Sequence, residues 1–117
     1  MIGVDIVEIA RIQNLDAESF ANKILCQRER EYLDAKLKKA ETLAGFFAAK
    51  EAVAKALGCG FTKDVTYKDI EVLHDENGAP ICKLHGKAIT LLQHKGNEIY
   101  ISISHDGGYA VAAAIIK

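Results

Sequence analysis

Two charged residues, Glu51 and Lys55, stand four positions apart within a stretch of small and apolar residues. On a helix this spacing puts both side chains on one face, with the acid first, which is the favourable order for an ion pair. One interpretation is therefore a stabilising salt bridge. The other is a carboxylate and an ammonium facing a pocket, where the lysine could neutralise a departing phosphate or move a proton. Spacing alone leaves both interpretations open.

A third candidate is Asp5, an acid in the middle of a segment rich in β-branched residues and apolar on both faces. That segment, residues 2–9, predicts a central strand. The carboxylate either bonds to nearby backbone or serves as a metal ligand or catalytic acid. Together, Asp5 and Glu51 could share a cation, and the lack of a cysteine or histidine cluster favours Mg²⁺ over Zn²⁺. This hypothesis requires the strand and the helix to be adjacent.

The element that must carry Glu51 and Lys55 is predicted over residues 42–57. Residues 42–58 include six alanines and two leucines and no proline, and Gly58 is well placed just past the last turn. The predicted helix is apolar nearly all round, which is typical of a buried helix. Its charges at Lys50, Glu51 and Lys55 therefore need partners.

The other elements are weaker predictions. We expect two or three short helices between residues 10 and 39, with Asp16 and Ser19 able to cap or interrupt them. A hairpin with Asn77-Gly78 in its turn should join strands at residues 69–74 and 79–84, with Pro80 at an edge or at the strand's beginning. A short helix and a second hairpin should follow, at residues 86–95, 99–105 and Tyr109–Ile116.

These elements predict one α+β domain over residues 1–117, with an antiparallel-rich sheet packed against a long central helix and shorter helices. The strand Tyr109–Ile116 is apolar on both faces and so needs cover on both, which hints at a subunit contact. His105 ends the strand before it, where a histidine is either structural or functional.

Composition excludes several classes of protein. The net charge of −1 gives no sign of a general nucleic-acid binder, and the basic residues between Arg11 and Lys39 alternate with acids. The three cysteines form no Cys-x-x-Cys pair, which predicts neither a disulfide framework nor a zinc site and fits a reducing cytoplasm. An acid as early as Asp5 argues against a signal peptide, and no segment predicts a membrane span.

Three segments, in order along the chain, resemble the signatures of holo-acyl-carrier-protein synthases, members of the 4′-phosphopantetheinyl transferase superfamily. They are Gly3-Val4-Asp5-Ile6-Val7-Glu8 with Arg11-Ile12, then Phe47-Ala48-Ala49-Lys50-Glu51-Ala52 with Lys55-Ala56-Leu57-Gly58 and Gly60, then Ile101-Ser102-Ile103-Ser104-His105-Asp106 with Tyr109-Ala110-Val111-Ala112. The resemblance implies transfer of 4′-phosphopantetheine from coenzyme A to a serine of apo-acyl carrier protein, releasing adenosine 3′,5′-bisphosphate. It also implies a role in fatty acid biosynthesis, Mg²⁺, an acidic carrier protein as partner, and a homotrimer with active sites at subunit boundaries.

The same resemblance assigns roles to individual residues. Asp5 and Glu51 would hold the metal on the coenzyme A diphosphate, and Lys55 would carry a proton or stabilise charge at the departing phosphate. The coenzyme A site would also include a histidine, two glycines that admit ligand close to backbone, and a lysine: His105, Gly58, Gly60 and Lys50.

One position departs from the family pattern. Phe46 stands where the family commonly has arginine, so any phosphate or carrier-protein contact of that arginine must be absent or supplied by Lys50 or Lys39. The mild basic bias at Arg11, Lys23, Arg28 and Arg30 could steer an acidic carrier protein. Two alternative functions stay open, a non-catalytic module that binds carrier protein and a different Mg²⁺-dependent phosphate enzyme.

Overall fold

A helix of 19 residues, α4 (Lys39–Leu57), lies at the centre of the computed structural model, which describes residues 1–117. Twelve of its residues are buried, as an all-round apolar sequence predicts. The helix begins three residues before the predicted start and ends where predicted. Gly58 follows it in the left-handed conformation (φ 75°, ψ 24°), which costs glycine little because it has no Cβ.

One strand and three short helices come before α4 in the chain, and two hairpins separated by a short helix come after it. Three short helices precede it, as expected, and Asp16 caps the second by accepting from the Ser19 N–H. The remaining elements are β1 (Ile2–Glu8), α1 (Ile9–Gln13), α2 (Ala17–Ile24), α3 (Gln27–Asp34), a 3₁₀ turn (Tyr67–Asp69), β2 (Ile70–His74), β3 (Pro80–Leu84), α5 (Lys87–Gln93), β4 (Ile99–Asp106) and β5 (Tyr109–Ile116).

The strands form two antiparallel sheets, which confirms the predicted α+β class. Three strands pair in the order β1-β5-β4, and β2 pairs with β3 in a separate hairpin. The predicted central position of β1 is wrong, because it forms an edge of the sheet and β5 lies in the middle. Its apolar sequence reflects instead one face buried on α4 and an outward apolar face at Ile2, Val4 and Ile6, all more than half exposed.

The backbone of β1 lies directly on α4 because Gly3 has no side chain. A Cβ at Gly3 would stand 2.0 Å from the carbonyl oxygen of Ala52 and 2.7 Å from the nitrogen of Ala56. This close approach turns Asp5, two residues further along the strand, toward the same part of the helix as Glu51 and Lys55. The adjacency that a shared cation site requires is therefore present.

A buried ion pair ties α3 and α4 to β2. The Lys50 ammonium donates to Glu29 Oε1 at 2.8 Å, and both side chains are fully buried. The second oxygen of Glu29 accepts from the Val72 N–H, and Oε1 also accepts from the Cys26 N–H.

Every helix of this fold is too short or too polar to cross a membrane.

Candidate active site

Lys55 and Asp5 meet where β1 crosses the C-terminal half of α4. The Lys55 ammonium donates to Asp5 Oδ1 at 3.1 Å and to the carbonyl oxygen of Val4 at 3.0 Å. The Asp5 side chain is 17% exposed, whereas that of Lys55 is 55% exposed. The ammonium therefore reaches from solvent over a largely buried carboxylate, and it does not pair with Glu51 on its own helix.

Glu51 instead accepts a hydrogen bond from Tyr67. The phenol oxygen donates to Glu51 Oε1 at 3.0 Å, across 16 residues of sequence. Burial, the hydrogen bond to Glu51 and the negative charges of Glu51 and Asp5 raise the pKa of Tyr67 to about 12. Glu51 stands one helical turn before Lys55 on the same face of α4, and Lys55 bonds to Asp5, so the two carboxylates and the tyrosine lie in one neighbourhood.

The carboxylate oxygens of Asp5 and Glu51 are suitable ligands for a hard divalent cation. Asp5 and Glu51 each use one carboxylate oxygen in a protein hydrogen bond, which leaves Asp5 Oδ2 and Glu51 Oε2 for other ligands. No group of three or more metal-binding side chains forms anywhere in the chain. Mg²⁺ is usually held by one or two carboxylates, with water and substrate phosphates as the other ligands. Two acids with one uncommitted oxygen each match that pattern.

The glycine loop after α4 begins one turn beyond Lys55. A Cβ at Gly58 would meet only the end of the Lys95 side chain, at 3.4 Å, and a Cβ at Gly60 would meet nothing within 4 Å. The backbone at both glycines is therefore open on the side from which a ligand could approach.

Lys50, which the family resemblance placed in the coenzyme A site, lies in the core of the structure. Its ammonium donates to Glu29 and to the carbonyl oxygens of Tyr67 and Ile70, so all three protons are used inside the core. Lys39, the other candidate for the role of the family's arginine, also has protein partners. Its ammonium donates to three carbonyl oxygens around the end of α3, those of Leu33, Asp34 and Lys36.

Phe46 occupies the arginine position as a core residue that is 2% exposed. It packs edge-on against Tyr32 and His74, whose rings stack at 3.9 Å between centroids. Burial lowers the pKa of His74. The departure from the family pattern therefore replaces a cation with an aromatic cluster.

His105 lies in a pocket of about 190 Å³ beside that cluster, lined also by Gly45, Pro80 and Ile103. Its Nε2–H donates to the carbonyl oxygen of Glu41 at 3.0 Å. Asp5 pairs with Ala112 and Ala112 with Ile103, two residues before His105, so strand spacing puts the Cα atoms of Asp5 and His105 about 12 Å apart. One chain thus does not bring His105 to the carboxylates.

Two of the four basic residues predicted to steer a partner are tied up in ion pairs. Arg28 makes a two-pronged contact with Glu71, and Arg30 pairs with Glu18 and Asp34. Arg11 and Lys23 lie on exposed positions of α1 and α2 and enter no ion pair.

The family model described as "4′-phosphopantetheinyl transferase superfamily" matches residues 1–114. The chain belongs to this superfamily. Its similar relatives include the holo-[acyl-carrier-protein] synthase of Clostridium botulinum, 47% identical over 118 residues, with 99% of this chain and 95% of the relative covered. The enzyme of the same name from a Thermoanaerobacter species is 45% identical over 97% of this chain and 84% of its own length.

A solved structure from the superfamily has the same fold along the whole chain. It is the Helicobacter pylori holo-[acyl-carrier-protein] synthase in complex with coenzyme A, with a TM-score of 0.87, 33% identity and complete coverage of both chains.

Two features of this superfamily member were not predicted from the sequence. Tyr67 lies within a polar connection predicted over residues 62–68 and belongs to no motif, so nothing in its spacing indicated the contact with Glu51. Glu29 sits in an alternating run of charges that predicts a solvated helix, yet its side chain is fully buried. A glutamate three positions after the N-cap residue Cys26 was the available signal, because such a glutamate can bond back to the N-cap N–H.

Proposed function

We propose that this chain transfers 4′-phosphopantetheine from coenzyme A to a serine of apo-acyl carrier protein, releasing adenosine 3′,5′-bisphosphate, in support of cytoplasmic fatty acid biosynthesis. The observation that carries the proposal is the contact of Lys55 with Asp5 where β1 lies on α4, with Glu51 one helical turn away on the same face of α4. This cluster combines two carboxylates for a cation with one exposed ammonium for a phosphate. Membership of the superfamily assigns the reaction to which these groups contribute.

Asp5 and Glu51 would hold Mg²⁺ on the coenzyme A diphosphate through their uncommitted oxygens. When bound, that ion supplies positive charge to the phosphate oxygens, which is most of what phosphoryl-type transfer asks of a protein site. The burial of Asp5 keeps its carboxylate oriented before substrate arrives. Both acids sit on regular elements, so their separation is fixed by the packing of β1 on α4.

Lys55 stabilises the charge that develops on the departing phosphate. Its ammonium is half exposed, and only the side chain of Asp5 and one carbonyl hold it. A lysine in this position can turn from Asp5 toward an incoming phosphate without unfolding any element. The same group can deliver a proton to the departing oxygen.

Coenzyme A binds, in this proposal, between the carboxylate cluster of one subunit and the His105 pocket of another. The 12 Å estimated between Asp5 and His105 within a chain favours a site shared between copies. Gly58 and Gly60 admit part of the ligand close to the backbone. The aromatic cluster beside His105 gives a flat apolar wall in place of the family's arginine.

The outward face of the three-stranded sheet supports assembly as a homotrimer. Ile2, Val4 and Ile6 on β1 lie beside Ile115 on β5 and Tyr100 on β4, and each is at least 42% exposed. A continuous exposed apolar patch marks an interaction surface. The doubly apolar sequence of β5 has its inner face on α4 and its outer face in this patch.

The acidic carrier protein docks, in this proposal, near Arg11 and Lys23. Of the four basic residues predicted to steer the partner, these are the two that enter no ion pair, and Arg11 follows the strand that carries Asp5. Attraction between opposite charges would accelerate the encounter and orient the serine.

Intact-mass spectrometry of apo-acyl carrier protein, incubated with this chain, coenzyme A and Mg²⁺, tests the proposed function. We expect the carrier protein to gain the mass of one phosphopantetheine group. A module that only binds the carrier would leave its mass unchanged and still bind it. A different phosphate enzyme would leave the mass unchanged and show no preference for coenzyme A.

A further inference from the structure

Tyr67 is the one side chain that holds Glu51 from outside its own helix. Its hydroxyl donates to Glu51 Oε1 at 3.0 Å, and this is the only side-chain hydrogen bond that the carboxylate makes. We propose that Tyr67 is a positioning residue, which orients the Glu51 carboxylate so that Oε2 is kept for a divalent cation. The proposal rests on the proposed function, because it gives Glu51 a cation to hold.

The position of Tyr67 is itself fixed by three contacts. Its ring stacks on Phe61 at 3.8 Å between centroids and lies 6.0 Å from the ring of Phe47. Its carbonyl oxygen accepts from the buried Lys50 ammonium at 2.8 Å. The stacked ring and the bonded backbone together hold the Tyr67 hydroxyl in place beside Glu51. A donor held this rigidly restricts the carboxylate to one orientation.

The alternative partner of Glu51 shows what Tyr67 prevents. Lys55 stands four positions along α4, where a glutamate and a lysine commonly pair. In the structure they do not, because Glu51 bonds to Tyr67 and Lys55 bonds to Asp5. Tyr67 thus keeps the carboxylate from closing on the ammonium that the transfer step needs. Hydrogen-bonding partners of metal ligands commonly contribute 10- to 100-fold in metal affinity.

The variant Tyr67→Phe removes the hydroxyl and leaves the stacked ring. Electron paramagnetic resonance would follow Mn²⁺ binding to the chain with saturating coenzyme A and no carrier protein, so that no turnover occurs. We expect the Mn²⁺ dissociation constant to rise roughly tenfold. In the transfer assay the Mg²⁺ concentration for half-maximal rate should rise by a similar factor. The KM for coenzyme A at saturating Mg²⁺ should stay unchanged.

Thr90→Val is the control, because it removes a hydroxyl group at an exposed position of α5, an element that contributes neither to the proposed site nor to the outward apolar sheet face. Its Mn²⁺ dissociation constant should equal that of the parent chain. Equal constants for the parent and Tyr67→Phe would overturn the role of Tyr67. A parent chain that neither binds Mn²⁺ nor modifies carrier protein would instead overturn the proposed function.

Discussion

At the scale of residues, the candidate site depends on the hydrogen-bonding partners of Glu51 and Lys55. The sequence spacing allowed Glu51 and Lys55 to pair with each other, and that pair would contribute only a few tenths of a kcal/mol on a helix surface. The structure separates them, with Lys55 on Asp5 and Glu51 on Tyr67. Both charges of α4 are thereby directed toward neighbouring elements, where a substrate can reach them.

Lys55→Met tests whether the ammonium acts in the transition state. Methionine keeps much of the apolar stem and removes the charge. If Lys55 stabilises the departing phosphate, its loss should lower kcat by roughly 10²-fold, with a smaller change in the KM for coenzyme A. Steady-state kinetics measures both.

The control for that variant is Lys83→Met, at an exposed position of β3 with no side-chain partner. It should keep the parent's kcat and KM. A Lys55→Met enzyme with a normal kcat and a slightly lower melting temperature would show that Lys55 serves only the fold.

At the scale of elements, the sequence predicted the course of α4 and the two hairpins because these depend on local pattern. Small apolar residues mark the helix, a glycine ends it, and Asn77-Gly78 turns the first hairpin. The edge position of β1 could not be predicted in this way. A strand that is apolar on both faces has the same pattern whether a second layer or another subunit covers its outer face.

Lys50 shows that local sequence pattern also fails to predict the partner of a single buried residue. Its place in a motif indicated a ligand contact, but its partner Glu29 lies 21 positions away and only the packing of α3 on α4 brings them together. The adjacency of β1 and α4, which brings Asp5 to Lys55, could be predicted because the motif and the physical argument pointed to the same strand and helix.

Lys50→Met should destabilise the fold strongly, because it leaves the Glu29 carboxylate buried without its cation. We expect the free energy of unfolding to fall by about 3–5 kcal/mol. The double variant Glu29→Gln/Lys50→Met should lose less than the two single losses added together. Urea denaturation followed by circular dichroism gives all three values.

Lys87→Met serves as the control for the buried pair, since Lys87 and its partner Asp64 are both more than half exposed. Its free energy of unfolding should change by no more than about 0.5 kcal/mol. Similar denaturation midpoints for Lys50→Met and Lys87→Met would mean that the buried pair does not hold α3 on α4.

At the scale of the whole molecule, the outward apolar face of the three-stranded sheet is the surface that no other part of the chain covers. The inner face of the same sheet packs on α4 through small residues such as Ala110, Ala112 and Ala114, each nearly inaccessible to solvent. The outer face has no such cover within one chain. A homotrimer would cover it and bring His105 of one copy toward the carboxylates of another.

Ile115→Glu places a charge in the middle of that face, beside Ile2 and Tyr100. Burying an unpaired carboxylate in an interface is costly, so we expect the proposed trimer to dissociate at micromolar concentration. Transfer should fall with it, because each active site would lose its second subunit. Size-exclusion chromatography with light scattering measures the assembly.

Leu37→Glu makes the same chemical change at a fully exposed position of the loop between α3 and α4. It should keep the parent's assembly. A parent chain that is a stable and active monomer would remove the trimer and the shared active site together.

The most direct test of the central claim compares the parent with Asp5→Asn and Glu51→Gln in the carrier-protein mass assay. A neutral amide loses the charge that holds a hard cation, so each variant should transfer at least about 100-fold more slowly. Circular dichroism should show an unchanged fold, because the amides keep the size of the acids. The parent should convert apo-carrier protein fully, while both variants leave it unmodified over the same time. Normal conversion by both variants at low Mg²⁺ would contradict the assignment of these acids and of the site built on them.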